Sequence, residues 1–159
     1  MRLIVCVCLS VFLLSCQSLN SGVGGMLKLD TDLKLVIQAS SDINPDEQEN
    51  PSPLYLRLYQ LKSDNMFEKA DFIDLYEQDV DKLGADFLSK QELKPIQPGQ
   101  SRTESFVLNP QTKYIALFAE FFQYDNASYK LIVPVTSANV IRDSVSVEIS
   151  ENRIQLLDE

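Results

Sequence analysis

The strongest constraint on the fold is a series of short segments in which apolar residues alternate with polar ones. LKLVIQAS, residues 33–40, has an apolar side chain at every second position, and LYLRLYQL repeats the pattern. Successive side chains of a β-strand point to opposite faces of a sheet, so this spacing predicts strands with one buried face. Seven segments are predicted as strands: 33–40, 54–61, 103–108, 113–124, 129–135, 144–149 and 152–157. Turn-forming residues separate them, which predicts an all-β, two-sheet antiparallel β-sandwich.

Two of these segments carry a more specific signal. Segment 113–124, KYIALFAEFFQY, is apolar on both faces, which predicts a central strand that is covered on both sides. Segment 129–135 contains Pro134, which has no N–H to donate and therefore predicts an edge position or a bend.

One stretch, 63–84, has helical rather than strand spacing. Its apolar residues fall into two sets three to five positions apart: Phe67, Ala70 and Leu75, and Phe72, Tyr76, Val80 and Leu83. Ser63 or Asp64 is a suitable N-cap, and Gly84 a suitable C-terminal stop. We predict one or two short helices, inserted between strands and packed on the sandwich. Seven acidic residues against two basic ones are typical of a solvated helix face.

The composition excludes several classes of function. The chain has 159 residues, enough for one domain, and 14 basic against 23 acidic residues give a net charge of −9. A phosphate backbone needs a basic surface, so we expect no nucleic-acid partner. The chain contains no histidine, which removes His-based triads and the usual near-neutral general base. We therefore expect no enzyme and no small-molecule substrate.

Neither a metal site nor a cofactor is predicted. Asp79, Asp81 and Gly84 begin like a calcium-binding loop. However, Leu83 and Lys90 stand where such a loop requires an oxygen ligand and a Glu. The sequence also lacks a glycine-rich phosphate-binding loop.

The first sixteen residues predict secretion. Residues 3–14 are an apolar run behind Arg2, too short for a membrane span of ~20 residues but typical of a signal peptide. The run ends in LLSC, residues 13–16, which resembles the cleavage signal of bacterial lipoproteins. The resemblance implies that residues 1–15 are removed and that Cys16 carries acyl chains. An ordinary cleaved signal with an incidental cysteine is the alternative.

The resemblance to lipoproteins also implies a location. Gln17 follows the cysteine where inner-membrane lipoproteins commonly carry Asp, which implies the outer membrane. Residues 17–26 contain three of the five glycines and predict a flexible tether. The sandwich domain is then expected to comprise residues 27–159, with the helical insertion at 63–84.

A long acidic connection joins the first two predicted strands. It contains four carboxylates, three prolines and no basic residue, and it is longer than a hairpin requires. The prolines restrict the backbone and reduce the entropy lost when a partner binds. Recognition and a tolerated insertion both account for such a loop. The residues of this candidate partner-binding loop are Asp42, Ile43, Asn44, Pro45, Asp46, Glu47, Gln48, Glu49, Asn50, Pro51, Ser52 and Pro53.

An ordered set of residues resembles the type VI secretion outer-membrane lipoprotein family, named TssJ, VasD or SciN. The matching residues are Ala39-Ser40, Ile43-Asn44-Pro45-Asp46, Pro53-Leu54, Arg57 to Lys62, Phe67, Ala70-Asp71-Phe72, Leu75-Tyr76, Leu83-Gly84, Leu88, Pro98-Gly99 and Tyr114. The resemblance implies a sandwich of transthyretin-like topology with a small helical addition. It also implies an outer-membrane lipoprotein that faces the periplasm. Its implied partner is the periplasmic C-terminal domain of the inner-membrane protein TssM, bound through loop 42–53, with TssL in the same complex.

Two other functions stay open from the residues alone. The first is a lipid-anchored periplasmic sandwich that binds a small ligand or a glycan in an aromatic-lined pocket, with Tyr124 and Tyr129 as candidate lining residues. The second is an enzyme that uses a closely spaced pair of buried carboxyl groups.

Overall fold

The computed structural model describes residues 32–135 and 144–157. These ranges contain eight strands: β1 Asp32–Ala39, β2 Leu56–Leu61, β3 Phe87–Glu92, β4 Ser101–Val107, β5 Tyr114–Ala119, β6 Lys130–Pro134, β7 Ser144–Ser150 and β8 Arg153–Leu156. They also contain two α-helices, α1 Asn65–Lys69 and α2 Phe72–Leu83. No helix in the described ranges has the length and apolar character to cross a membrane. The predicted signal peptide, Cys16 and the tether lie outside the described residues.

The strands form two four-stranded sheets, ordered β4-β1-β7-β8 and β3-β2-β5-β6. All neighbouring strands are antiparallel except β1 and β7, which run parallel from the pair Lys34–Ser144 to the pair Ala39–Ile149. The predicted all-β sandwich is confirmed, and its strand pairing is antiparallel apart from this one pair.

The alternating segments bury the residues that their spacing selects. In β1, Leu33, Leu35 and Ile37 are buried while Lys34 and Gln38 are exposed. In β7 the buried residues are Val145, Val147 and Ile149. Together with apolar residues of the facing sheet they form the main core between the two sheets.

The second sheet is covered on both faces. In β5, Ile115 and Leu117 belong to the core between the sheets, whereas Ala116 and Phe118 belong to a second core beneath the helices. The predicted central, doubly covered strand is therefore confirmed. It is shorter than predicted, because the chain leaves the sheet after Ala119. The predicted edge position of the Pro134 strand is also confirmed, since β6 is the last strand of its sheet.

Strand β3 was not predicted. Its sequence, FLSKQE, has no alternation, because β3 is an edge strand whose residues are all partly or fully exposed. A strand without a buried face carries no period-two signal. β3 is therefore a strand because it pairs with β2, and its own sequence gives no sign of that pairing.

The helical segment forms two helices as predicted, and Gly84 ends α2 with a φ of 49°. Asp64 precedes α1 without a side-chain capping bond, whereas Asp71 caps α2 by accepting a hydrogen bond from the N–H of Asp74 at 2.8 Å. The helical spacing predicted the buried face of α2 only in part. Tyr76 and Val80 are exposed, and the charged Asp79 is buried in their place.

Asp79 is buried because it is the centre of a charged network on the outer face of the second sheet. Its Oδ2 atom accepts hydrogen bonds from the Tyr59 hydroxyl at 2.7 Å and from Lys90 Nζ at 2.8 Å. Arg57 Nη1 lies 3.3 Å from the same oxygen, and Arg57 Nε donates to Glu120 at 2.6 Å. Two cations thus neutralise two carboxylates beneath the helix.

The same network compensates for a kink in α2. The helix is kinked at Gln78, whose φ of −137° and ψ of 32° are not helical. The N–H of Val80 donates to the Asp79 side chain, and Arg57 Nη1 donates to the carbonyls of Leu75 and Tyr76 at 3.0 and 3.2 Å. Side chains therefore replace the backbone hydrogen bonds that the kink removes, which binds the helix to the sheet.

The protonation of this network follows from its contacts. Burial alone would raise the pKa of Asp79, but hydrogen bonds from Lys90, Tyr59 and the Val80 N–H outweigh it, so that the pKa is lowered. Burial and the hydrogen bond to Asp79 raise the pKa of the Tyr59 hydroxyl. Asp79 is therefore an ionised acceptor and Tyr59 a neutral donor at neutral pH.

The change Asp79→Ala is expected to lower the free energy of unfolding by about 3 kcal/mol, because it removes the acceptor shared by the partly buried Lys90 and the buried Tyr59 hydroxyl. Asp81→Ala, two residues along the same helix and exposed, is the matched control and is expected to cost less than about 0.5 kcal/mol. Urea unfolding measures both. Equal values for the two variants would refute the structural role of the network.

The Asp79 contribution should depend on pH. A carboxyl group with a lowered pKa in the folded state stabilises the fold above its unfolded pKa of about 3.9, and loses that contribution as the pH falls through the folded value. The difference in the free energy of unfolding between the parent chain and Asp79→Ala, measured by urea unfolding, should stay constant from about pH 5 to 7. It should become smaller below about pH 4.

Candidate partner-binding surface

Loop 42–53 connects the two sheets, because β1 belongs to one and β2 to the other. Its first part is packed into the end of the sandwich: Ile43 and Asn44 are 0% and 1% exposed, and Pro45 is buried. Ile43 belongs to the main core. The loop is therefore rooted in the domain by its N-terminal residues.

Asn44 ties this root to three separate segments. Its side-chain N–H donates to the carbonyl of Pro53 at 2.9 Å, and its side-chain oxygen accepts from the N–H of Phe122 at 2.8 Å. Its own N–H donates to the carbonyl of Glu151 at 2.8 Å. Asn44 has a φ of 49°, a left-handed conformation that Asn tolerates better than most residues. One buried side chain thus closes the base of the loop.

Asp46 organises the tip of the loop. Its carboxylate accepts hydrogen bonds from the N–H groups of Gln48 and Asn50 at 2.8 and 2.9 Å. The backbone N–H of Asp46 donates to the Asn50 carbonyl at 3.0 Å, which closes a tight turn. The Asn50 N–H and the other donors hold the pKa of Asp46 below its usual value. The tip is therefore a defined turn.

Gln123 holds the loop from outside. Its side-chain N–H donates to the carbonyl of Asp46 at 2.9 Å and lies 3.4 Å from that of Pro45. Sequence reasoning missed this residue, because the contact joins positions 77 and 78 residues apart. Nothing in the local sequence of Gln123 signals its role.

The predicted loop residues thus divide into a root and a presented surface. Ile43, Asn44 and Pro45 are buried and form the root. Asp46 and Ser52 are partly exposed. The exposed residues are Asp42, Glu47, Gln48, Glu49, Asn50, Pro51 and Pro53. The structure therefore presents an acidic tip on a fixed base.

An apolar groove of about 410 Å³ begins where the loop ends. Asn44 and Pro53 of the loop line one side, helix α2 lines another, and the segment after β5 lines the third. Four large apolar residues lining it are well exposed: Tyr55 at 56%, Ile73 at 44%, Tyr76 at 50% and Phe122 at 63%. Sequence periodicity did not identify this groove, because its walls come from distant segments.

Tyr124 and Tyr129, the candidate ligand-binding residues, both pack against Phe72. The Tyr124 ring stacks on Phe72 with centroids 4.2 Å apart, and the Tyr129 ring meets it edge-on at 5.2 Å. Both tyrosines border an open depression that Asp71, Ile73 and Asp125 also line. The rings thus take part in the aromatic packing that seats α2 on the sheet.

The described carboxylates are not grouped as a metal centre would require. Within residues 32–135 and 144–157, no group of three or more His, Cys, Asp or Glu side chains is placed to hold a metal ion. Asp79 is the buried carboxylate with the most contacts, and its lowered pKa makes it an acceptor for Lys90 and Tyr59 rather than a proton donor.

Comparisons with solved structures agree with this fold. The P. aeruginosa type VI secretion lipoprotein TssJ1 matches with a TM-score of 0.72 and 24% identity, over 82% of this chain and 97% of that one. The Serratia marcescens protein Lip, a membrane-bound component of the type VI secretion system, matches with a TM-score of 0.72 and 20% identity, over 80% and 96% of the two chains.

Two further matches are chains of larger systems. A chain in a structure described as a type VI membrane complex matches with a TM-score of 0.71 and 25% identity, over 80% of this chain and 98% of that one. A chain in a structure described as the C-terminal domain of the type VI secretion protein TssM from EAEC matches with a TM-score of 0.67 and 22% identity, over 80% and 98%.

No significant relative is found among curated proteins. The family model described as type VI secretion lipoprotein, VasD, EvfM, TssJ, VC_A0113 matches residues 31–153. That range includes strands β1 to β7 and the first residue of β8, as well as both helices and loop 42–53. The chain therefore belongs to the type VI secretion lipoprotein family, TssJ/VasD.

Proposed function

We propose that this chain is the outer-membrane lipoprotein of a type VI secretion membrane complex. An acylated Cys16 anchors it, the sandwich faces the periplasm, and loop 42–53 docks the periplasmic C-terminal domain of TssM. TssL is a further member of the same complex. The observation that carries the proposal is an exposed acidic loop tip, fixed by Asn44, Asp46 and Gln123 on a domain of the TssJ/VasD family.

The comparisons support the choice of partner. One chain of similar fold comes from a structure described as a type VI membrane complex, and another from a structure described as a TssM C-terminal domain. Both matches cover 98% of the chain concerned. TssM is therefore the first protein to test against the loop.

The order and the exposed charge of the loop both favour docking. Its root and tip are already ordered by hydrogen bonds within the domain, so binding loses less conformational entropy than it would with a free loop. Glu47 and Glu49 are exposed on the tip. Exposed charges on a rim act mainly on the rate of association, and salt screens their effect.

The loop and the predicted anchor attach at opposite ends of β1. The chain enters β1 at Asp32 and leaves it at Ala39, three residues before the loop. Eight residues of extended strand span about 25 Å. The point at which the N-terminal segment enters the strand is therefore separated from the start of the loop by the length of β1.

Cys16→Ser is expected to release the protein from the membrane fraction, because each buried methylene of an acyl chain contributes about 0.8 kcal/mol to membrane binding. Cys8→Ser, within the predicted signal peptide, is the matched control and should fractionate like the parent chain. Membrane flotation and labelling with a palmitate analogue measure the outcome. Unchanged flotation of Cys16→Ser would refute the anchor.

Glu47→Gln combined with Glu49→Gln should reduce the association rate with the TssM domain, and the reduction should be larger at low salt. Asp46 is left unchanged because it holds the turn. Glu68→Gln with Asp81→Asn, both exposed on the helices, gives the same change in net charge and should bind like the parent. Surface plasmon resonance at two salt concentrations measures the rates. An undiminished, salt-independent rate would contradict the electrostatic role of the tip.

Asn44→Ala should weaken TssM binding by loosening the base of the loop. The change removes the hydrogen bonds to Pro53 and Phe122 and puts a less suitable residue at a φ of 49°, at an expected cost of about 1–3 kcal/mol in stability. Hydrogen exchange should show faster exchange at 46–52. Weakened binding without that local change would contradict the preorganised loop.

A further inference from the structure

We infer that the apolar groove beside loop 42–53 is the second half of the same docking surface, and that it receives a TssM segment presenting a large apolar side chain next to a Lys or Arg. This inference rests on the proposed function. It adds a site at which the partner is anchored by burial, whereas the loop tip provides charge.

The first argument is the amount and position of exposed apolar surface. Tyr55, Ile73, Tyr76 and Phe122 come from three separate segments, yet they line one groove. Ile73 and Tyr76 stand three positions apart on α2, before its kink at Gln78, and so lie side by side on the helix. A contiguous patch of this kind marks an interaction site more often than scattered single residues do.

The second argument is that the walls are held in place. Asn44 fixes the backbone of Phe122, and the carbonyl of Tyr55 accepts a hydrogen bond from the N–H of Glu120 at 3.0 Å. The Tyr76 ring lies parallel to Phe72 and is approached by the Arg57 guanidinium at 5.4 Å from its centroid. A groove with fixed aromatic walls accepts an anchor at little cost in entropy.

The third argument is charge. Among the described residues that line the groove, Glu77 and Glu120 are acidic and none is basic. Glu120 is neutralised by Arg57, so Glu77 supplies the free charge at the rim, together with Glu47 and Glu49 of the loop. A Lys or Arg beside the anchor would complement this rim, and an Arg would also stack on an exposed ring.

The fourth argument is continuity. Asn44 and Pro53 belong to the loop and also line the groove, so the two surfaces share an edge. A partner that contacts the loop tip is therefore brought alongside the groove. The same Asn44 hydrogen bonds fix the position of both surfaces relative to each other.

The test compares the parent chain with three variants, all full-length and purified in detergent, for binding to the periplasmic C-terminal domain of TssM from the same secretion cluster. Ile73→Ser with Phe122→Ser alters the groove, and Glu47→Gln with Glu49→Gln alters the loop. Val107→Ser is the matched control, since Val107 is 77% exposed on β4 of the other sheet. Loss of a central anchor is expected to raise the Kd at least about tenfold, whereas Val107→Ser should leave it within about twofold.

A second measurement does not depend on how the groove variant folds. A photo-reactive benzoylphenylalanine at position 122 should cross-link to the TssM domain, and the same residue at position 107 should not. Thermal unfolding is measured for the groove variant as well. If its midpoint is close to that of the parent chain, the weaker binding comes from the groove and not from loss of the fold.

The outcomes separate the two proposals. Binding by the parent chain that weakens in the loop variant but not in the groove variant, with no cross-link from position 122, overturns the groove and leaves the proposed function standing. A groove variant that changes self-association instead of TssM binding assigns the groove to a second copy of this chain and also overturns the inference. Absence of TssM binding by the parent chain overturns both.

Discussion

The carboxylate of Asp79 determines how the outer face of the second sheet is organised. It is buried beneath a kinked helix and accepts hydrogen bonds from Tyr59 and Lys90. An isolated carboxylate in this position would be strongly unfavourable, so its burial requires the cations of strands β2 and β3. Arg57, shared between Asp79, Glu120 and two carbonyls of α2, then fixes the helix against the sheet. The groove depends on this arrangement, because Tyr76 lies beside the kink and over Arg57.

Loop 42–53 is held in place in a different way. Its root is held by burial and by the three hydrogen-bonded connections of Asn44, whereas its tip is held by a carboxylate that accepts backbone N–H groups. Asp46 therefore holds the turn of the acidic loop together, whereas Asp42, Glu47 and Glu49 are exposed. Counting carboxylates in the sequence does not distinguish these roles, because they depend on which backbone groups each side chain meets.

The predictable part of the fold is the part with a buried face. Leu33, Leu35 and Ile37 in β1, and the doubly apolar β5, were assigned from local spacing because burial imposes a period on the sequence. β3 has no buried face and was missed for that reason. The burial of Asp79 was also invisible, because its partners Tyr59 and Lys90 lie on two different strands. Loop 42–53 was identified by composition, but the groove beside it was not, since Tyr55 and Phe122 meet only in the folded chain.

The pairing of β1 has a mechanical consequence. This strand is hydrogen-bonded along its length to β4 on one side and to β7 on the other. A pull applied between its two ends, Asp32 and the start of the loop, acts along the strand and across all of these hydrogen bonds at once. Bonds loaded in this direction share the force and yield together, whereas a pull perpendicular to the strand would open them one after another. A load between the N-terminal side of the domain and its loop is thus carried in shear by both hydrogen-bond ladders of β1.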